Sequence, residues 1–209
     1  MATIDSAHSV RRCCMRGIWI GGVWAGGLFS MLAGAEQPSA PFHQSASFNK
    51  EGYRLPPFKA PVTAALPGVT VLDDHAFQSL VDASPVILVD VNALPWRDGL
   101  FLQDSPHLTI PDRVWLPNVG APALEDAWVD YFSDALNAFR EHPEAVPLVF
   151  FCRADCWLSW NAARRAEAMG YEGLYWYPNG VDGWQASGHS LAAVCPQLPA
   201  HAERATCEP

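Results

Sequence analysis

Two stretches of this chain, PVILVDV (85–91) and VPLVFFC (146–152), are apolar without alternation. A strand with one face in water alternates apolar and polar residues. A strand buried on both faces does not, and such strands belong to parallel sheets covered by helices. The segments around the two runs carry the complementary pattern. DHAFQSLVDA places Ala76, Phe77, Leu80 and Val81 at helical spacing behind Asp73 or Asp74 as N-cap. Over 124–140, Leu124, Trp128, Tyr131, Phe132, Ala135, Leu136 and Phe139 share one helical face, with Glu125 and Asp126 in the first turn. Residues 157–169 read as a helix ended by Gly170. GVTVLD (68–73) and GLYWY (173–177) read as short strands, with another short strand or turn near 114–116 and a PNG turn after Tyr177. Strand and helix in this order predict an α/β fold, a single domain with a mostly parallel sheet flanked by helices.

That domain is expected over 68–190. Before it, 36–67 is rich in Pro, Ser and Ala, with Phe42, Phe48, Tyr53 and Phe58 scattered through it; this is an extended lead-in lying on the domain. After it, 191–209 is a loop-like tail.

The first 35 residues have a different character. Arg11, Arg12 and Arg16 precede the apolar run 17–35, which ends in Ala33-Gly34-Ala35. A basic region, an apolar region and small residues at a cleavage position make a secretory signal cut after Ala35, and the run is short and glycine-rich for a membrane anchor. Cleavage removes three arginines and Asp5, leaving 10 basic and 21 acidic side chains and a net charge of −11. The expected product is a soluble acidic protein of the periplasm, without stable membrane insertion. Nucleic acid is excluded as a partner, because no basic cluster exists outside the first residues.

An oxidising compartment changes the meaning of the cysteines. Cys13 and Cys14 leave with the signal; Cys152, Cys156, Cys195 and Cys207 remain and allow three pairings. Sequence distance favours Cys152 with Cys156, and Cys195 with Cys207 as a structural staple closing the tail.

In parallel sheets, ligands sit beyond the carboxyl ends of the strands. Cys152 ends one strand, Asp90 to Asn92 end another, and the turn after Tyr177 follows a third, so three regions should converge on one edge. Cys152 then faces a turn of N–H groups and a helix N-terminus, both of which favour a thiolate; Arg153 adds to this and Asp155 opposes it. Cys156, four residues on, is placed to resolve it by thiol–disulfide exchange or to tie it down as a permanent local disulfide. Other chemistries fail on residue identity. A C-x5-R phosphatase needs arginine where Leu158 stands, and haem attachment needs histidine where Trp157 stands. Zinc would need a second ligand pair, and Cys195 with Cys207 beside His189 or His201 is a poor one. Copper(I) suits a C-x3-C pair with a distant histidine, His107 or His189. Trp157 and Trp184 could wall a pocket for a flat quinone, with Asn179 and Asp182 adding polar contacts. Asp90 is read as a hydrogen-bonding loop anchor.

The ordered segments VILVDVN, HLTIPDRVWLPNVG, PLVFFCRADCWLSWNAARRAEAMGY and GLYWYPNGVDGW resemble the rhodanese-like domain over 68–188. More narrowly, CRADCW, SWNAA and YWYPNGVDGW, together with the signal sequence, resemble the PQQ-dependent catabolism-associated CXXCW motif proteins, although three residues rather than two separate the cysteines here. The resemblance implies a rhodanese-like sheet with Cys152 in the nucleophile's position, and a link to quinoprotein alcohol oxidation. PQQ as a ligand, and a quinoprotein dehydrogenase system or a thiol redox protein as partner, follow only from it. Where a sulfurtransferase loop reads Cys-Arg-x-Gly-x-Arg, this chain has Asp155 for the glycine and Trp157 for the second arginine, and Asn92 stands where that family's Asp-Val-Arg arginine would be. Two functions follow as expectations: an enzyme doing sulfur transfer or thiol–disulfide exchange, or a catalytically silent binding module for a quinoprotein system, a cofactor or copper(I).

Overall fold

The computed structural model describes residues 47–141, 146–200, 202 and 207, so the expected signal sequence lies outside the described residues. In chain order the elements are β1 (Val69–Val71), α1 (Asp74–Ala83), β2 (Ile87–Asp90), β3 (Trp96–Arg97) and β4 (Leu100–Phe101). They continue with β5 (His107–Thr109), β6 (Arg113–Trp115), α2 (Asp126–Arg140) and β7 (Leu148–Phe151). The last are α3 (Trp157–Ala168), β8 (Leu174–Tyr177), α4 (Gly180–Ala186) and β9 (Ala192–Val194).

Five strands form one sheet in the order β1-β8-β7-β2-β6, and every neighbouring pair is parallel. The two apolar runs are its central neighbours, β2 and β7, in register Ile87 to Leu148 through Asp90 to Phe151. Every residue of β7 is buried, which is why that run shows no alternation. The alternation is instead between two apolar layers. Leu148, Phe150 and Cys152 pack in one cluster with Phe132 and Leu136 of α2 and Ala162 and Ala166 of α3. Val149 and Phe151 pack in the other with Phe77 of α1, Tyr177 of β8 and Val181 of α4. Burying a side chain the size of Phe150 contributes about 1.5–3 kcal/mol.

The helices follow the sequence cues. Asp73 caps α1, its Oδ1 accepting from the Ala76 N–H at 2.7 Å. Tyr131, Phe132, Ala135 and Leu136 are the buried face of α2. At the end of α3, Gly170 has φ +80°, its N–H donates to Glu167 O and the Tyr171 N–H to Ala166 O, the paired bonds of a left-handed helix stop. Three features differ from expectation. β3 and β4 form a two-residue hairpin, β5 pairs antiparallel with β9, and the turn expected after Tyr177 runs directly into α4. Gly180 opens that helix at φ +50°, and a Cβ there would lie 2.1 Å from the Cys152 carbonyl oxygen. This close approach lets the backbone of α4 bond the end of β7.

Of the lead-in, residues 47–67 are described, and they lie across α3. Phe48 packs edge-on to Trp157 and Trp160, Phe58, Ala60, Val62 and Ala64 pack against the same layer, and Leu66 is buried in it. In the tail Cys195 and Cys207 are joined, Cα atoms 5.5 Å apart. No helix among the described residues is long and apolar enough to cross a membrane.

Candidate functional site

β7 delivers Cys152 to the sheet's carboxyl edge, and α3 begins at Trp157 with Cys156 as its N-cap residue. The two cysteines are joined as a disulfide across the intervening loop, Cα atoms 6.4 Å apart. Strand parity decides where the first one points. Cys152 has the parity of Leu148 and Phe150, so it turns into the α2–α3 layer and is 0 % exposed, whereas Cys156 is half-buried at the edge of that layer.

The loop between them is held from three sides. The Cys152 carbonyl accepts from the Val181 N–H at 2.9 Å. Arg153 reaches over α4 and forms a two-pronged ion pair with Asp182, Nε lying 3.3 Å from Oδ2 and a terminal nitrogen bonded to Oδ1. The Ala154 N–H donates to the same Oδ2 at 2.9 Å. Burial pushes the Asp182 carboxyl up, but the bonds from Arg153 and Ala154 and the charges of Arg153 and Lys59 outweigh it and hold the group below the usual carboxylate range. The lead-in supplies the third side. Phe58 O accepts from the Trp157 N–H and Asp155 O accepts from the Ala60 N–H, both at 2.9 Å, and Lys59 Nζ bonds Ala154 O. Asp155 itself sits at φ +55°, a left-handed conformation that Asp adopts more readily than most side chains. It occupies the position where the resembled family carries glycine.

These contacts correct one expectation. The Cys152 sulfur is not ringed by N–H groups. Its polar neighbours among the described residues are the carbonyls of Arg153 (3.7 Å) and Cys156 (3.4 Å) and the hydroxyl of Ser159 (3.1 Å). The loop amides of Ala154 and Trp157 bond elsewhere.

Asp90, at the end of β2, is fully buried and accepts four hydrogen bonds: from the Asn92 N–H and side-chain amide on Oδ1, and from the Thr109 hydroxyl (2.6 Å) and His107 Nε2 (2.8 Å) on Oδ2. It is a loop anchor, and Asn92 turns back onto it. His107 also stacks on Trp115, ring centroids 4.0 Å apart. Beside these groups a cleft of about 360 Å³ opens at the sheet's carboxyl edge, lined among others by Asn92, His107, Leu108, Arg153, Val181 and Gln185. Arg153 is the loop residue in its wall.

Trp157 and Trp184 do not face each other across a pocket. Trp157 is buried with Phe48 and Trp160 in the α2–α3 layer, under the Arg54 guanidinium. Trp184 belongs to the opposite layer, stacked on His189 and donating from Nε1 to Ser190 O. Asn179 is drawn away to Asp74 Oδ1, which also accepts from the Tyr177 hydroxyl. The arrangement offers no flat slot for PQQ between the two tryptophans. Copper(I) fits no better: the two sulfurs are joined, His107 is bonded to Asp90, His189 is stacked on Trp184, and no three His, Cys, Asp or Glu side chains among the described residues are grouped to hold a metal ion.

Sequence reasoning passed over two polar residues of the SWNAA segment. Asn161, fully buried on α3, accepts from the Arg54 N–H (2.8 Å) and donates to Arg54 O (3.1 Å) and Gly120 O (2.9 Å). Ser159, also fully buried, accepts from Trp176 Nε1 at 3.0 Å and touches Cys152. Polar residues on the apolar face of a helix were the available signal. No family model, curated protein or solved structure matches the chain.

Proposed function

We propose that this chain is an exported, rhodanese-like thiol–disulfide exchange protein of the periplasm, acting through Cys152 and Cys156. The observation that carries the reading is the asymmetric pair: two joined cysteines at a strand end and a helix mouth, one buried and one half-exposed. That asymmetry reverses the roles expected from sequence. A partner thiolate reaches Cys156 Sγ, not Cys152 Sγ. Its attack forms a mixed disulfide with Cys156 and expels Cys152 as a thiolate. The partner's second thiolate then attacks its own sulfur in that mixed disulfide and releases Cys156. Two electrons pass from the partner dithiol to the chain, and the partner leaves as a disulfide. The α3 N-terminus favours thiolate character at Cys156. Sulfur transfer is supported less well, because a persulfide on Cys152 would need room in a closed layer and free loop amides. From the family resemblance, the partner belongs to a quinoprotein alcohol-oxidising system.

The test is equilibration of the full chain in glutathione buffers, with thiols counted by alkylation and mass spectrometry. The reading expects reversible reduction of Cys152–Cys156 well above about −300 mV, the region typical of structural disulfides. It also expects a glutathione adduct trapped on Cys156 in Cys152→Ser and none on Cys152 in Cys156→Ser. A pair that stays oxidised below that potential and traps no adduct is a staple, and the reading fails.

A further inference from the structure

Cys152 has one hydrogen-bond donor at its sulfur among the described residues, the Ser159 hydroxyl at 3.1 Å. The other two polar atoms there are the carbonyl oxygens of Arg153 and Cys156, which would repel a thiolate. Ser159 has one hydrogen to give. Its oxygen already accepts from the Trp176 indole at 3.0 Å, and an indole N–H can only donate. The hydroxyl hydrogen must therefore turn to one of two acceptors, the Cys156 carbonyl at 3.3 Å or the Cys152 sulfur at 3.1 Å.

Which acceptor wins depends on the redox state. A disulfide sulfur is a weak acceptor and a carbonyl a good one, so the oxidised pair leaves the hydrogen on Cys156 O. A thiolate carries a full charge, and a bond to an ionised acceptor is about twice as strong as a neutral one. We infer that Ser159, oriented by Trp176, is a positioning residue that moves its hydrogen bond from the Cys156 carbonyl to the Cys152 thiolate when the disulfide opens. This rests on the exchange reading for its purpose. When the partner thiolate bonds to Cys156 and Cys152 Sγ leaves with the electron pair, the hydroxyl rotates onto the sulfur. No proton is transferred, and the buried thiolate is held ionised. The charged side chains around the loop do not take over this task. Arg153 is closed on Asp182, Lys59 on the Ala154 carbonyl, and Asp155 would only oppose a thiolate. Cys156, the other titrating group, sits on the same helix end. The buried residues of α2 are Tyr131, Phe132, Ala135 and Leu136 and β8 is Leu-Tyr-Trp-Tyr, so neither buries a charged side chain there. Arg165 of α3 is closed on the Val119 and Ala121 carbonyls and Arg54 lies over the Trp157 ring.

The test isolates Cys152 in the Cys156→Ser chain and titrates it by thiolate absorbance near 240 nm. Adding Ser159→Ala should weaken its acidity roughly tenfold, one unit in pKa, the loss of one strong bond to the charged form. Trp176→Phe should shift it in the same direction by less, since the hydroxyl remains but is no longer oriented. In the otherwise intact chain, Ser159→Ala should move the glutathione equilibrium toward the disulfide, while circular dichroism and the melting temperature report an intact fold. A Cys152 acidity unchanged within twofold in Ser159→Ala overturns the inference, whatever the exchange assays give. A tenfold shift in a chain that exchanges with no thiol sustains the positioning role and removes the exchange function instead. If Ser159→Ala does not fold, Trp176→Phe decides: no shift in it overturns the proposal.

Discussion

Replacing Asn161 by alanine should detach the lead-in from the body of the domain. Asn161 makes three hydrogen bonds, two to the backbone of Arg54 and one to Gly120 O. The Gly120 carbonyl faces Asn161 in the interior, and leaving it without a partner costs about 1–3 kcal/mol. The two Arg54 groups are part-buried and regain water when the side chain is cut back, so each loses only the net value of a bond, about 0.5–1.5 kcal/mol. The sum is a destabilisation of roughly 2–6 kcal/mol, measurable as a fall in the urea midpoint with the slope unchanged. The consequence reaches the disulfide. Residues 58–60, a few positions on, occupy the Trp157 N–H and the Asp155 carbonyl. With the lead-in loosened, Cys156 should be reduced faster by a phosphine and the chain should be cleaved sooner between residues 47 and 60 by a dilute protease. A variant that loses less than about 0.5 kcal/mol and is cleaved and reduced at the wild-type rate would show that Asn161 does not clamp the lead-in, because even one net hydrogen bond exceeds that value.

Three further outcomes follow from the loop. Gly180→Ala should destabilise by more than about 2 kcal/mol, read from the thermal midpoint, since it combines a positive φ with a Cβ pressed into the Cys152 carbonyl. Asp155→Gly, at φ +55°, should leave stability unchanged or raise it by up to about 1 kcal/mol in urea unfolding, whereas Asp155→Val should lower it, because a β-branched side chain is least tolerated there. Asp182 has its folded carboxyl pKa held down. Its contribution is therefore present above the ordinary carboxylate pKa and is lost as pH falls through the lower folded value. Phosphine reduction of the disulfide should be constant from neutral pH down to about pH 4 and accelerate below it, and Asp182→Asn should be fast throughout that range.

The sheet was legible because its signal is strong and local. PVILVDV and VPLVFFC could be little other than strands buried on both faces, and they are the neighbouring central pair. The helices were legible from caps and from one-sided apolar spacing. The hairpin of β3 and β4 was written in WRDGLF: Asp98 and Gly99 both have positive φ, the requirement of a two-residue hairpin turn that Asp-Gly meets, but strands of two residues show no periodicity. The pairing of β5 with β9 joins segments more than 80 residues apart and has no local signal at all. At the site, Cys152, Arg153, Asp155 and Cys156 are close in the chain itself; Asp182, read as a polar contact of a pocket walled by Trp157 and Trp184, bonds Arg153 and Ala154 instead, and the two tryptophans take opposite layers. Sequence proximity of aromatics does not say which side of the sheet each one takes.

Side of sheet is also what separates the cleft from the disulfide in this molecule. Cys152 follows Leu148 and Phe150 into the α2–α3 layer, and its disulfide lies there. The cleft with His107, Asn92 and Gln185 opens on the side of α4, beyond the end of β2. The loop 153–156 runs between them, and one side chain belongs to both. Arg153 forms part of the cleft wall and, through Asp182, shares a carboxylate with the Ala154 N–H. A group in the cleft that drew Arg153 off Asp182 would leave that carboxylate holding the loop by the Ala154 bond alone, and the raised freedom would fall on the residues next to Cys156. Two links join the cleft to the disulfide loop: the Arg153–Asp182 pair, and Val181, which lines the cleft and donates its N–H to the Cys152 carbonyl. In a chain built this way, the arginine that matches a sulfurtransferase loop is shared between the wall of the cleft and the loop that carries the disulfide.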